Sequence, residues 1–159
     1  MKTFMRIEGI PGQATDKDHK DWILVSSVSS PIHRVIKEGA VDVERTQGTT
    51  TLGNLFTTRR VDKSTVKLAE ACAKGKYIPE VEIHLCNVQN EKVIPFLKYK
   101  LFNVIITEHT IDGESESNKG AHEAVAYNFE KIDWTFTVID PKDGSEQGEI
   151  IAQYNPGEG

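Results

Sequence analysis

The chain has 159 residues, one domain's worth, and its 38% hydrophobic and 27% charged residues are proportions of a folded globular protein rather than a disordered one. A net charge of −5 with no dense Lys/Arg cluster argues against nucleic acid as a partner, the pair Arg59-Arg60 being too short to count. No run nears the roughly 18 apolar residues of a membrane span, the opening MKTFMRIEG lacks the apolar stretch of about 7–15 residues of an export signal, and two cysteines make no disulfide framework, so synthesis in a reducing cytoplasm without membrane insertion is expected.

Lys2–Ile7 alternates weakly and reads as a strand. A polar turn, GIPGQATDKDHKD, follows. Trp22–Ser30 (WILVSSVSS) reads as the next strand, and both of its faces open apolar: Trp22 and Leu24 on one, Ile23 and Val25 on the other. A strand wetted on one side would alternate more cleanly. Both sides are therefore expected to be covered at its start, one by a barrel interior and the other by a neighbouring subunit. Pro31 ends the strand. The segment 31–53 is long for a plain connection yet carries Ile32, Val35, Ile36, Val41, Val43 and Leu52. Two readings stand equally: an extended arm that packs on a partner, or a β-hairpin.

NLFTTRRV (54–61) is a further strand. The strong helix signal is 64–74: Ser64 or Thr65 is placed to cap it, Leu68, Ala69, Cys72 and Ala73 form one apolar stripe, and Gly75 stops it. Val81, Ile83 and Leu85 then alternate with Glu80, Glu82 and His84, predicting a buried and a wetter face. In 93–110 the apolar phase changes, from Leu97, Tyr99 and Leu101 to Phe102, Val104 and Ile106. A bulge near Leu101, or cover on both sides, accounts for it. A polar loop (112–123) leads to strands carrying Val125, Tyr127 and Phe129, then Ile132, Trp134, Phe136 and Val138. EIIAQY (149–154) is the last strand, and 155–159 a loose tail. Many strands with one helix predict a mainly β domain over 1–159, a small barrel of two packed antiparallel sheets with one flanking helix.

Residues that could carry chemistry are sparse. Cys72 and Cys86 lie fourteen positions apart without the paired short spacing of a zinc site. They read as packing at a helix–strand seam, with His84 a surface histidine. His19, His33, His84, His109 and His122 are scattered without a motif. No G-x-S-x-G, P-loop or G-x-G-x-x-G is present, and Asp16, Asp18 and Asp21 fail the EF-hand pattern. No catalytic residue, metal ligand or cofactor is assigned. The excess of apolar residues on the strands and on 31–53 points instead to self-assembly.

Three segments carry a family resemblance. MRIEGIPGQATDKDHKDWILV resembles the "IxGIxGES-TD-xHKxWIxV" opening of the haemolysin-coregulated protein (Hcp) family. VDKSTVKLAEACAKGKYIPEVEIHLC is similar to its "DKASPKLxEAC-SGKxIPxVxIxLC" run, and VAYNFEKIDWTFTVID to its "VSFNYxKIxWTY". The order is the family's. Gln13 and Ala14 replace its usual Glu-Ser, 31–53 is more charged and apolar than in relatives, and the "GWxLxxN" ending is missing. The resemblance implies a tube subunit of the bacterial type VI secretion machine. It would form hexameric rings that stack inside a contractile sheath, leave the cell with the spike protein VgrG and carry small effector proteins in the lumen. It further implies a lumen-facing, cargo-contacting role for Ser29. Ile32, Val35, Ile36, Val41 and Val43 are the expected ring or stacking contacts. The alternatives are a phage-type tail tube protein, a small-ligand β-barrel such as a lipid carrier, and a hydrolase, the last disfavoured because the chain ends about twenty residues after Ile139.

Overall fold

A computed structural model of the protein describes residues 1–46, 48–116, 118 and 120–156. Of the expected tail, 157–159 lie outside the described residues. The strands are β1 (Lys2–Ile7), β2 (Ile23–Val25), β3 (Ser27–Ser29), β4 (Ile32–Val35), β5 (Thr49–Leu52), β6 (Leu55–Arg60), β7 (Tyr77–Gln89), β8 (Lys92–Gly113), β9 (Ala121–Asn128), β10 (Lys131–Ile139) and β11 (Glu146–Tyr154). Two helices interrupt them, the single turn α1 (Val43–Thr46) and α2 (Thr65–Lys74). The mainly β class with one substantial helix stands.

One antiparallel sheet runs β2-β1-β7-β8-β9-β6-β3, with β10 paired to β8 and β11 to β10; β4 and β5 form a separate two-stranded ladder. The two sheets are thus a nine-stranded body and a small hairpin, not two halves packed face to face. The ends of the long path, β2 and β3, are consecutive pieces of one segment, so the sheet curls round on itself. No ladder closes it into a barrel among the described residues.

The strand expected at 22–30 is broken at Ser26, whose N–H donates to Thr58 O at 2.8 Å. Before the break the chain pairs with β1, after it with β6. The break lets one short segment serve both ends of a curled sheet.

Strand β8 also changes partner. Its first half pairs with β10 and its second with β9. Between them Asn103 takes φ +56°, and its Nδ2 donates to Glu130 Oε2 at 2.8 Å. The inward face thereby shifts from Leu101 to Val104, both fully buried. The expected phase switch is real but sits at Asn103, two residues beyond Leu101.

The main core fills the curl: Met5, Ile23, Leu55, Ile83, Leu101, Ile106, Tyr127 and Ile132, with Leu68 and Ala71 of α2. Helix α2 lies against β8. Gly75 ends it in the left-handed region (φ +61°), and the N–H groups of Gly75 and Lys76 donate to Cys72 O and Ala71 O. On β10, Ile132 is buried and Trp134 packs on the core, but Phe136 and Val138 are exposed; the face predicted continuous leaves the core halfway.

Strand β1 is buried on both sides. Met5 and Ile7 enter the main core, whereas Phe4 joins Ala14 and Cys86 in a second, smaller cluster covered by the 10–22 loop. The loop is pinned closely to β2: a side chain at Gly12 would collide with the Trp22 carbonyl oxygen, and Gly12 N donates to Asp21 O at 2.8 Å.

Candidate assembly surface

The 31–53 segment is a hairpin, β4 against β5, with Ile32 opposite Leu52 and Val35 opposite Thr49. Every residue of β4 is exposed, whereas Thr50 and Leu52 of β5 are half-buried, Leu52 packing on the main core. Ile32, Val35, Ile36, Val41 and Val43 are each between 43% and 66% exposed. Together they make a projecting apolar arm, with Ala40 its one buried apolar residue. Arg34 Nη1 donates to Thr50 Oγ1 at 3.0 Å across the ladder. An open concavity of about 530 Å³, lined by Val35, Lys37, Glu44, Gly48 and Thr49, lies near its tip.

Ser29 is not on this arm. It ends β3, exposed, opposite Phe56 of β6. Its neighbour Val28 packs on the core, so Ser29 faces outward with Ser27, Phe56 and Thr58. Phe56 apart, this outer face is small and polar, and Ser27 Oγ bonds Thr58 Oγ1 across it. A second open region is β11, an edge strand paired only with β10 among the described residues, with Ile150 and Ile151 exposed beside Phe136.

The cysteines are apart in function as in sequence. Cys72 packs on the main core from α2, and Cys86 is buried in the second cluster. Burial pushes the Cys86 thiol up to about 11, the reverse of an activated nucleophile. Among the described residues no group of three or more His, Cys, Asp or Glu side chains is arranged to hold a metal ion.

His84 is not a surface residue. Together with His19 it is buried, because the 10–22 loop covers the face of β7 that reads as wet. Asp16 Oδ2 lies 2.6 Å from His19 Nδ1, His19 Nε2 lies 2.9 Å from His84 Nδ1, and His84 Nε2 lies 2.8 Å from Glu82 Oε1. Phe4 stacks on His19 and Trp22 meets it edge-on. The His84 hydrogen bond, with the nearby Arg6 and Lys100 charges, outweighs burial and holds Glu82 down at about 2. Alternation alone could not reveal this row; the Asp16–His19 spacing of three and the Glu82–His84 spacing of two were the only local signs.

A second buried network anchors α2. Arg59 and Glu123 are both 1% exposed. Arg59 Nε donates to Glu123 Oε1 at 2.8 Å, and one Nη donates to Ser64 Oγ at 2.7 Å. The other Nη faces Asp62 Oδ1 at 2.8 Å, off the hydrogen-bond axis. His109 Nε2 lies 3.1 Å from the second Glu123 oxygen. Ser64 therefore does not cap α2 with its side chain; it is spent on Arg59 and Asp62. Asp62 organises the helix start instead, accepting from Ser64 N at 2.8 Å, while Thr65 Oγ1 accepts from Asp62 N. Burial would raise the Asp62 pKa, but bonds from Ser64 and Arg59 bring it below its ordinary value. Apart from that Arg59 Nη, whose contact with Asp62 is an ion pair without a hydrogen bond, these groups pair with one another beneath the surface.

The family model described as "Type VI secretion system effector, Hcp" matches residues 4–136. A type six secretion system protein superimposes with a TM-score of 0.87 at 22% identity, covering 97% of this chain and 94% of the other. Hcp1 from Salmonella typhimurium gives 0.78 at 23% identity, covering 99% and 95%. A type VI secretion system effector from Yersinia pestis gives 0.76 at 23%, covering 96% and 98%. No curated protein sequence matches significantly. The exposed arm, the curled sheet and the match over most of the chain agree: the chain belongs to the Hcp family, the structural, secreted tube proteins of the type VI secretion system rather than enzymes.

Proposed function

We propose that six copies of this chain close into a ring and that rings stack into the expelled inner tube. The hairpin arm, with every residue of β4 and five large apolar side chains of the segment exposed, carries the reading. Apolar side chains exposed in such a cluster favour burial against another surface. A ring contact joins two different patches and closes by rotation. The arm, with Ile32, Val35, Ile36, Val41 and Val43, supplies the contact between rings. The outer face bearing Ser29, Ser27 and Thr58 lines the lumen, where small effector proteins ride. VgrG at the tip and a contractile sheath outside complete the set of partners. The protein is made in the bacterial cytoplasm and leaves through the machine.

Deleting residues 35–50 tests the arm. Electron microscopy of the variant is expected to show rings that no longer stack. Rings that stack as before would refute the assignment.

A further inference from the structure

The row Asp16, His19, His84, Glu82 contains three contacts at hydrogen-bond distance: oxygen to nitrogen, nitrogen to nitrogen, and nitrogen to oxygen. Each needs a hydrogen. A carboxylate accepts only, and a neutral imidazole carries one N–H. If His19 gives its N–H to Asp16 and His84 gives its own to Glu82, nothing lies between the two rings. Two lone pairs then face each other across 2.9 Å. If the hydrogen of either ring moves to the middle, that ring presents a lone pair to a carboxylate. Three hydrogens on four ring nitrogens satisfy all three contacts, and the pair then carries one positive charge between two carboxylates.

We propose that His19 and His84 form a proton-operated clamp: one proton beyond the neutral pair holds the 10–22 loop on the sheet, and its loss to solvent base releases the loop. The surroundings suit a single added charge. The 10–22 loop contributes Asp16, and β7 contributes Glu82 and the neutral thiol of Cys86. Arg6 of β1 donates to the other Glu82 oxygen at 3.0 Å, so that carboxylate is already an acceptor. From β8, Lys98 lies across from His84 and Lys100 across from Glu82. The two carboxylate ends of the row are the exits: the side chains of Glu82 and Asp16 are 22% and 19% exposed, whereas that of His19 is 2% exposed. Released, the loop would uncover Phe4 and Cys86. It would also move Gln13, which accepts from Lys63 N at 2.8 Å and forms one wall of a cavity of about 460 Å³ beside Leu24, Arg60 and Val61. The clamp therefore couples a proton to the shape of an outer surface next to the break in the curled sheet.

The test is mass-spectrometric hydrogen exchange on the assembled wild-type protein across about pH 5–8 and one unit above. Exchange at the imidazole carbon reports each histidine, and amide exchange, corrected for its intrinsic pH dependence, reports the loop. The expected result is one shared midpoint for His19 and His84, with loop amides exchanging roughly tenfold faster or more above it, the fold-change for losing one buried charge-assisted hydrogen bond. Separate midpoints, or a loop whose corrected exchange does not follow the histidines, would overturn the proposal. His84→Gln cannot hold the third hydrogen and is expected to abolish the pH dependence of loop exchange. Should that variant not fold, the wild-type midpoints decide alone.

Discussion

Replacing Arg59 by methionine keeps much of its volume and removes the guanidinium from a site that is 1% exposed. Glu123 Oε1, deeply buried, then loses its partner at 2.8 Å, Asp62 loses its facing charge, and Ser64 loses a donor at the start of α2. Breaking a buried ion pair from one side costs about 3–5 kcal/mol, mostly the penalty on the charge left behind. A loss of about 4 kcal/mol lowers Tm by roughly 8–16 °C for a chain of this size. At an m-value of about 2 kcal/mol/M it moves the urea midpoint by roughly 2 M. Replacing both partners, Arg59→Met with Glu123→Leu, removes both buried charges; Asp62 keeps its bonds from Ser64, and His109 Nε2 loses its carboxylate partner. That double variant is expected within about 1–2 kcal/mol of the parent, so the two single losses do not add. The assay is urea unfolding followed by tryptophan emission at one fixed protomer concentration, since assembly shifts apparent stability. A single-variant cost below about 1 kcal/mol, or costs that simply sum, would refute the picture of a charge pair holding the helix to the sheet.

Glu82 ionises at about 2 in the folded chain, below its ordinary 4.5. It therefore adds stability that is present above about pH 4.5 and is lost as pH falls towards 2. Glu82→Gln should flatten acid unfolding curves in that window and cost about 1 kcal/mol at neutral pH, the side chain being partly exposed. At Asn103, φ +56° suits glycine and opposes branched side chains. Asn103→Val is expected to cost about 1–3 kcal/mol in urea and Asn103→Gly less, and equal costs would remove the phase switch as the cause. Val35→Asp with Val43→Asp should leave subunit stability within about 0.5 kcal/mol, because both side chains are exposed, yet abolish stacking seen by electron microscopy.

Where a residue's environment is set by its own strand, the sequence was readable. The alternation of Val81, Ile83 and Leu85 and the stop at Gly75 reappear in place, whereas of the stripe Leu68, Ala69, Cys72 and Ala73 only Leu68 is fully buried, Ala73 is exposed and Ala71 faces the core instead. The phase change in 93–110 announced a switch, but its site depended on Asn103 tolerating a positive φ, which no apolar pattern reports. What escaped was tertiary. His84 alternates as a wet residue because its cover comes from a loop sixty-odd positions earlier. Ser64 looks like a cap until Arg59, itself invisible as a buried cation, claims its oxygen. The break at Ser26 escaped because unbroken alternation puts Val28 on the face of Trp22 and Leu24, whereas the break turns it into the core with Ile23 and Val25. Composition showed an excess of apolar residues on 31–53 without saying what they meet, and only the family resemblance made that segment an expected tube contact.

The central claim is assembly, and native mass by light scattering on a sizing column tests it most directly. The account predicts a closed ring of about 107 kDa, six copies of 17.8 kDa. A monomer across the whole accessible concentration range would contradict it and leave the apolar arm without a partner.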